Sequence, residues 1–316
     1  MKVVVTGADG FVGGWMIREL LRTGHHVVGA TRIGVGPPRD FAEEERLRVQ
    51  WVELDLLAAD SVNELAAMST DAVVHLAAVA SGVDARRDPG YAWTVNAAGT
   101  ARVAEAFGRV RAEGRGDPLV LVVSTGEVYG HGTGQPSTEA DPLRPVSPYA
   151  ASKVGAEVAA DEVARRTGLR TLVARAFPHT GPGQSDKYVL PAVALRLRTA
   201  KRIGAPVINV GNLAPVRDLL DVRDVARAYR LLLERGVPGS VYNVASGRGH
   251  TIEDVVGRLM TLVGCRVILE ADPSLSRPND IMHLVGDPTR LIRDTGWQPT
   301  IPLDQTLEDL LDAQAD

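Results

Sequence analysis

Short apolar runs recur through the first half of the chain, at Val3 to Val5, Val27 to Ala30, Val49 to Val52, Ala72 to Leu76, Leu119 to Val123 and Thr171 to Ala174. They are continuous rather than alternating, which predicts strands buried on both faces, as in a parallel sheet covered by helices. Between them lie stretches read as helices, at Val12 to Leu21, Ala92 to Val110 and Ala150 to Arg166. Strand and helix in alternation predict a doubly wound α/β domain.

After Phe177 the rhythm changes, with Pro178, Gly181, Pro182 and Gly183 in one cluster and a mixture of short strands and helices beyond it. Within this half, Asp221 to Glu234 reads as an amphipathic helix and Val241 to Ala245 as a strand, both suited to completing the first sheet. The expected organisation is therefore interleaved. Residues 1–178 and 218–247 form a nucleotide-binding domain, and residues 179–217 and 248–316 form a smaller α/β substrate domain.

Composition narrows the function. With 45% hydrophobic residues over 316 positions, the chain can bury one large core or two modest ones. A net charge of −4, with no like-charge run longer than Glu43-Glu44-Glu45, leaves no footprint for nucleic acid. Cys265 stands alone, so no disulfide framework and no cysteine metal site is expected; the histidines lack paired ligand spacing, so no metal is expected either. The first strand begins at Lys2 without an apolar leader, and no run approaches the length of a membrane span. The expectation is a cytoplasmic protein that does not enter membranes.

The strongest local signal follows the first strand, where Thr6-Gly7-Ala8-Asp9-Gly10-Phe11-Val12-Gly13 leads into a helix. Glycines there allow a tight turn, a close approach of backbone to a pyrophosphate, and close packing of helix on strand, while the helix N-terminus faces the phosphates. The second strand ends Gly29-Ala30-Thr31-Arg32, where an NAD binder would carry an acid for the ribose 2′-hydroxyl. An arginine suits a 2′-phosphate instead, which favours NADP(H); the bland alternative is a solvated surface arginine. Asp55, closing Glu53-Leu54-Asp55-Leu56, is read either as an acceptor for the adenine amino group or as a loop cap.

Ser147-Pro148-Tyr149-Ala150-Ala151-Ser152-Lys153 sets Tyr149 and Lys153 on one helical face. A neighbouring ammonium favours the phenolate and is expected to lower the tyrosine pKa toward a useful range. The strand Leu119 to Val123 runs into Ser124-Thr125-Gly126-Glu127 and puts hydroxyls at the carboxyl edge of the sheet, where ligands bind. Tyr149 as acid, Lys153 as its support and Thr125 as orienter of a carbonyl make a coherent set.

These residues, with Gly7, Gly10 and Gly13, His75-Leu76-Ala77-Ala78, and Asn96 in Val95-Asn96-Ala97-Ala98-Gly99-Thr100, resemble the extended short-chain dehydrogenase/reductase superfamily over essentially the whole chain. The resemblance implies a Rossmann-type sheet and a nucleotide-sugar substrate. It implies cofactor contacts at Gly7, Asp9, Gly10, Phe11, Val12, Gly13, Arg32, Asp55, Leu56, Leu76, Ala77, Ala78, Tyr149 and Lys153. Substrate contacts are implied at Ser81, Thr125, Glu127, His179, Lys187, Arg217, Arg277 and Asp280, and the helices around Ala92 to Val110 and Ala150 to Arg166 are implied to pair in a homodimer.

Further segments, Phe177 to Gln184, Gly211-Asn212-Leu213, Arg217 to Asp224 and Arg277-Pro278-Asn279-Asp280, resemble the GDP-mannose 4,6-dehydratases and, more closely, the GDP-4-keto-6-deoxy-D-mannose reductases that form GDP-D-rhamnose. A GDP-sugar is thus the implied substrate, with Arg217 and Arg277 on its diphosphate. Pro178 departs from the pattern, standing where the family usually has asparagine and offering neither a side-chain amide nor an N–H. Glu127 fits both enzymes, as the base of a dehydratase or as an acceptor for sugar hydroxyls. Asn96 is read either as holding a helix or proton-relay water, or as an inert buried amide. A cofactor-binding regulator without catalysis is disfavoured by the intact Thr125, Tyr149 and Lys153.

Overall fold

The computed structural model describes residues 1–38, 40–275 and 280–314. Its centre is a seven-stranded parallel sheet formed by β1 (Lys2–Thr6), β2 (His26–Thr31), β3 (Val49–Glu53), β4 (Ala72–His75), β5 (Leu119–Thr125), β6 (Arg170–Ala176) and a last strand, Val241–Val244. In space the order is Val241–Val244, β6, β5, β4, β1, β2, β3. Chain order therefore reverses between β1 and β4, which opens a crevice above their carboxyl ends.

The continuous apolar runs are explained by the pleat. Val3 and Val5 enter one core with Met16, Ile17, Leu20 and Tyr229, while Val4 enters the opposite core with Val103, Phe107 and Val163. The helix Phe11–Arg22 and the helix Val222–Arg235 cover the first face; Gly99–Ala112 and Pro148–Thr167 cover the second. Ser147 starts the last of these by accepting from the Ala150 N–H at 3.1 Å, with Pro148 in the first turn and Gly168 in the left-handed conformation ending it.

The stretch read as one helix from Ala92 to Val110 is a helix at Pro89–Trp93, a π-turn at Thr94–Ala98 and a helix at Gly99–Ala112. Asn96 lies in the π-turn, and its side chain bonds the Val79 backbone on both sides, N–H at 2.8 Å and C=O at 3.1 Å, and Ser152 Oγ at 2.9 Å. That long-range bonding accompanies the extra residue in the turn. The amide holds the loop after β4 and the helix of Tyr149, so of the two sequence readings the holding one matches its contacts.

A further core joins Leu190, Val193, Leu197, Val210, Ile252, Val256, Leu259, Leu307 and Leu310. Around it lie a three-stranded sheet, ordered Gly249–Thr251, Val216–Asp218, His283–Leu284, and a pair of parallel strands, Ile268–Ala271 with Val207–Val210. Asp218, fully buried, accepts from the N–H groups of Ser246, Gly247 and Gly286 and fastens this layer under the sheet. No helix among the described residues is long and apolar enough to cross a membrane.

Candidate active site

At the crevice, Gly7 takes φ +67°, and a Cβ there would lie 2.8 Å from the Ala77 nitrogen. A Cβ on Gly13 would lie 2.2 Å from the Gly7 oxygen. Glycine is thus required for the loop to lie against the end of β4 and for the helix to enter it. Gly10 closes the turn by donating to the Gly7 carbonyl at 2.9 Å and stands at the helix N-cap with no side chain covering the first N–H groups. A tight, uncapped helix start of this kind fits a dinucleotide pyrophosphate.

The other cofactor-side residues fall around it. Ala77 donates its N–H to Thr6 Oγ1 at 3.2 Å, next to Leu76 and Ala78 beyond β4. Phe11 stacks on His179, ring centroids 6.5 Å apart, which brings the glycine loop beside the segment after β6; Val12 packs beneath against the first core. Asp55 Oδ1 accepts from the Leu57 N–H at 2.8 Å, the loop-cap geometry, with Leu56 buried beside it. Arg32 leaves the end of β2 with its side chain 77% exposed and donates from Nε to Asp9 Oδ2 at 2.8 Å. No carboxylate stands at this point in sequence, but the fold brings Asp9 to it from the glycine loop.

His75 shows how the loop is braced from below. Thr100 Oγ1 donates to the Asn96 carbonyl at 2.6 Å and so accepts from His75 Nε2 at 3.2 Å, which leaves Nδ1 to accept from Thr6 Oγ1 at 2.8 Å. The ring is neutral, its pKa pushed down to about 3 by burial and by the Lys153 charge.

Thr125, Glu127, Tyr149 and Lys153 come together at the carboxyl end of β5. The Thr125 hydroxyl accepts from the Glu127 N–H at 3.2 Å and lies beside the Tyr149 phenol. Burial, then the Glu127 carboxylate and Tyr188, push the phenol above its ordinary range, and the Thr125 hydroxyl opposes them. The expected lowering by Lys153 is not found: its Nζ donates to the Val123 carbonyl at 2.8 Å, and it is not among the groups that shift the phenol. Lys153 itself is pushed down to about 8 by burial, with Glu157 acting the other way.

The residues expected to contact substrate have the following partners. Ser81 caps the helix Gly82–Arg87 by accepting from the Asp84 N–H at 3.1 Å. His179 Nδ1 bonds the Phe177 carbonyl at 2.9 Å, Lys187 is exposed, and the Pro178 carbonyl accepts from the Leu220 N–H at 3.0 Å. Arg217 and Asp280, both read as substrate contacts, are brought together as an ion pair at 2.6 Å. Arg277 lies outside the described residues. Tyr188, which faces Tyr149 and Asp84 electrostatically, was not singled out from sequence, and nor were Glu157 and Arg175. The spacing Tyr149, Lys153, Glu157 was the available signal, one residue per helical turn on one face. Among the described residues no group of three His, Cys, Asp or Glu side chains is placed to hold a metal ion.

A doubly wound sheet with a glycine loop at its switch point, and a tyrosine, lysine and threonine at the next strand end, defines a nicotinamide-dependent oxidoreductase of the extended short-chain dehydrogenase type. Residues 4–310 match the family described as GDP-mannose 4,6 dehydratase, and the chain belongs to that family. It is 35% identical over 264 residues to GDP-6-deoxy-D-mannose reductase of Pseudomonas aeruginosa, covering 81% of this chain and 84% of that one. It is 31% identical over 311 residues to UDP-glucose 4-epimerase of Mycolicibacterium smegmatis, covering 96% and 95% of the two chains. Among solved structures, RMD from Pseudomonas aeruginosa complexed with NADPH superposes with a TM-score of 0.80 at 31% identity, over 99% of this chain and 98% of that one. The UDP-glucose 4-epimerase of Thermus thermophilus in complex with NAD gives 0.85 at 28% identity over the same shares.

Proposed function

We propose that this chain reduces the C4 ketone of a nucleotide-activated 4-keto-6-deoxy-hexose with NADPH, converting GDP-4-keto-6-deoxy-D-mannose to GDP-D-rhamnose. What supports this reading is the grouping of Tyr149 with Thr125 and Glu127 at the end of β5, where burial and the facing carboxylate favour the protonated phenol. A reduced nicotinamide, when bound, supplies the hydride. Tyr149 then gives its proton to the oxygen that becomes an alkoxide, Thr125 orients that oxygen, and the Lys153 ammonium stabilises the phenolate left behind.

Support for the finer choices comes from several sides. Arg32 offers a cation at the place of a 2′-phosphate, and RMD, whose structure carries NADPH, is among the similar structures. The similar reductase acts, by its name, on a GDP-6-deoxy sugar. Residues 1–178 with 218–247 would hold the cofactor, and 179–217 with 248–316 the sugar nucleotide. A homodimer is supported by Trp93, 45% exposed, and Val158, 63% exposed, on the outer face of the helices expected to pair.

Glu127 beside Tyr149 favours one other reading, a GDP-mannose 4,6-dehydratase, in which this carboxylate removes the C5 proton. The two separate on cofactor economy. A dehydratase retains its cofactor on purification and turns over GDP-mannose with none added, whereas a reductase is isolated without it and leaves GDP-mannose unchanged. Conversion of GDP-mannose to its 4-keto sugar by the purified chain would overturn the reductase.

A further inference from the structure

Behind Lys153 lies a buried polar chain that the reaction as described does not use. Glu157 follows Lys153 by one turn of the helix Pro148–Thr167, and both side chains enter the sheet, 7% and 6% exposed. Lys153 Nζ donates to the Val123 carbonyl at 2.8 Å, and Ser124 Oγ donates to Glu157 Oε1 at 2.5 Å. Consecutive turns of the helix thus grip consecutive residues of β5, and the next residue along is Thr125.

From the far side Arg175 of β6 clasps Glu157, Nη2 to Oε2 at 2.7 Å and Nε to Oε1 at 3.1 Å. Its Nη1 donates to Tyr129 Oη at 3.0 Å, and Tyr129 donates to Asn243 Oδ1 at 2.7 Å on the last strand. Tyr129 ends the short turn Gly126–Tyr129 that carries Glu127. One network therefore joins the turn of Lys153, the strand end of Thr125 and the turn of Glu127.

Stability alone is a weak reason for such a pair, because an apolar pair of similar volume commonly holds a helix to a strand as well or better. The site offers another. The Lys153 ammonium is faced by neutral His75 of β4 and by Glu157, while Arg175 holds Glu157 from behind and bonds Tyr129, and Glu127 and Tyr188 face Tyr149. Glu157 is the carboxylate that favours the charged lysine, against a burial that pushes it down to about 8.

We propose that Glu157, braced by Arg175, is a positioning residue of the reaction, fixing the Lys153 turn to the strand end that bears Thr125 and giving the Lys153 ammonium its buried counter-charge. The inference rests on the reduction proposed above.

The test compares the native enzyme with Glu157→Gln, Glu157→Asp and the apolar pair Glu157→Leu with Arg175→Met. Two profiles are taken across the neutral and alkaline range: kcat/KM with NADPH and GDP-4-keto-6-deoxy-D-mannose, and NADPH affinity from nicotinamide fluorescence, which needs no sugar. The native alkaline limb is expected near pH 8. Removing a unit charge one helical turn away, at an effective dielectric of about 20, moves that limb down by about one pH unit or more. Glu157→Gln, which leaves the Arg175 cation unopposed, should therefore lose about tenfold at pH 8 and much less at pH 6; the apolar pair, which removes one charge of each sign, should move the limb the same way but less, and Glu157→Asp keeps the native limb. Folded variants whose limbs coincide with the native one would overturn the proposal, as would failure of every variant to fold, the apolar pair included, which would mark the pair as purely structural. A native enzyme inactive on the sugar ketone would remove the substrate reading alone, and the limb in NADPH affinity would still judge Glu157.

Discussion

Replacing Arg32 by alanine should change which cofactor the enzyme prefers. The guanidinium is 77% exposed, so its attraction for a 2′-phosphate is screened, and about 1–2 kcal/mol is a fair range for a charge-assisted contact there, roughly tenfold in affinity. A second effect has the same sign. Asp9, 5% exposed, has its charge met by Arg32 Nε at 2.8 Å, and with Arg32 gone it would face the 2′-phosphate as an unpaired carboxylate. The same carboxylate could accept from the free 2′-hydroxyl of NADH. Arg32→Ala should thus raise the KM for NADPH by about 10- to 100-fold and leave that for NADH unchanged or lower, and Asp9→Asn added to it should recover part of the NADPH loss. The assay is steady-state kinetics with each cofactor at two salt concentrations, and added salt should weaken NADPH binding in the native enzyme more than in the variant. Equal losses for both cofactors, or none for either, would refute the assignment of Arg32 to the 2′-phosphate.

Gly13→Ala places a methyl carbon 2.2 Å from the Gly7 oxygen and should abolish cofactor binding by opening the loop, measurable as lost nicotinamide fluorescence; a variant that binds NADPH normally would contradict the tight-turn account. His75 is buried neutral with its pKa pushed down to about 3, below an unfolded value near 6.5. Charging it favours the unfolded chain, so its contribution is complete above pH 6.5 and is lost as pH falls toward 3, about 2 kcal/mol by pH 5. His75→Gln should flatten that part of a pH series of denaturant melts, and an unchanged slope would exclude His75 as its source. Val158→Arg, on a position 63% exposed, should convert a dimer to a monomer by light scattering without lowering Tm; a native protein already monomeric would remove the dimer proposal.

Much of the sheet was legible because burial on both faces writes continuous apolar runs, and β1 to β6 fall within one or two residues of those runs. Both β5 and β6 run two residues past the expected ends, to Thr125 and Ala176, because they pair with each other there, Ser124 and Thr125 opposite Arg175 and Ala176. The π-turn at Thr94–Ala98 was illegible because it goes with the bonds of Asn96 to Val79, and nothing local distinguishes it from helix. In the site, spacing and strand ends pointed to Tyr149, Lys153 and Thr125, which the fold gathers at the end of β5. The pairs Asp9–Arg32, Arg217–Asp280 and Glu157–Arg175 were not, since each depends on where separate segments meet in space.

Hydride transfer to a sugar ketone, with Tyr149 as the acid, is the reaction on which the proposed function stands. Its most direct measurement is the loss of NADPH absorbance on mixing purified protein with GDP-4-keto-6-deoxy-D-mannose, with Tyr149→Phe alongside. Oxidation of one NADPH per ketone, abolished in the phenylalanine variant while NADPH still binds, is the predicted result. No oxidation by the native protein, or an undiminished rate in Tyr149→Phe, would contradict it.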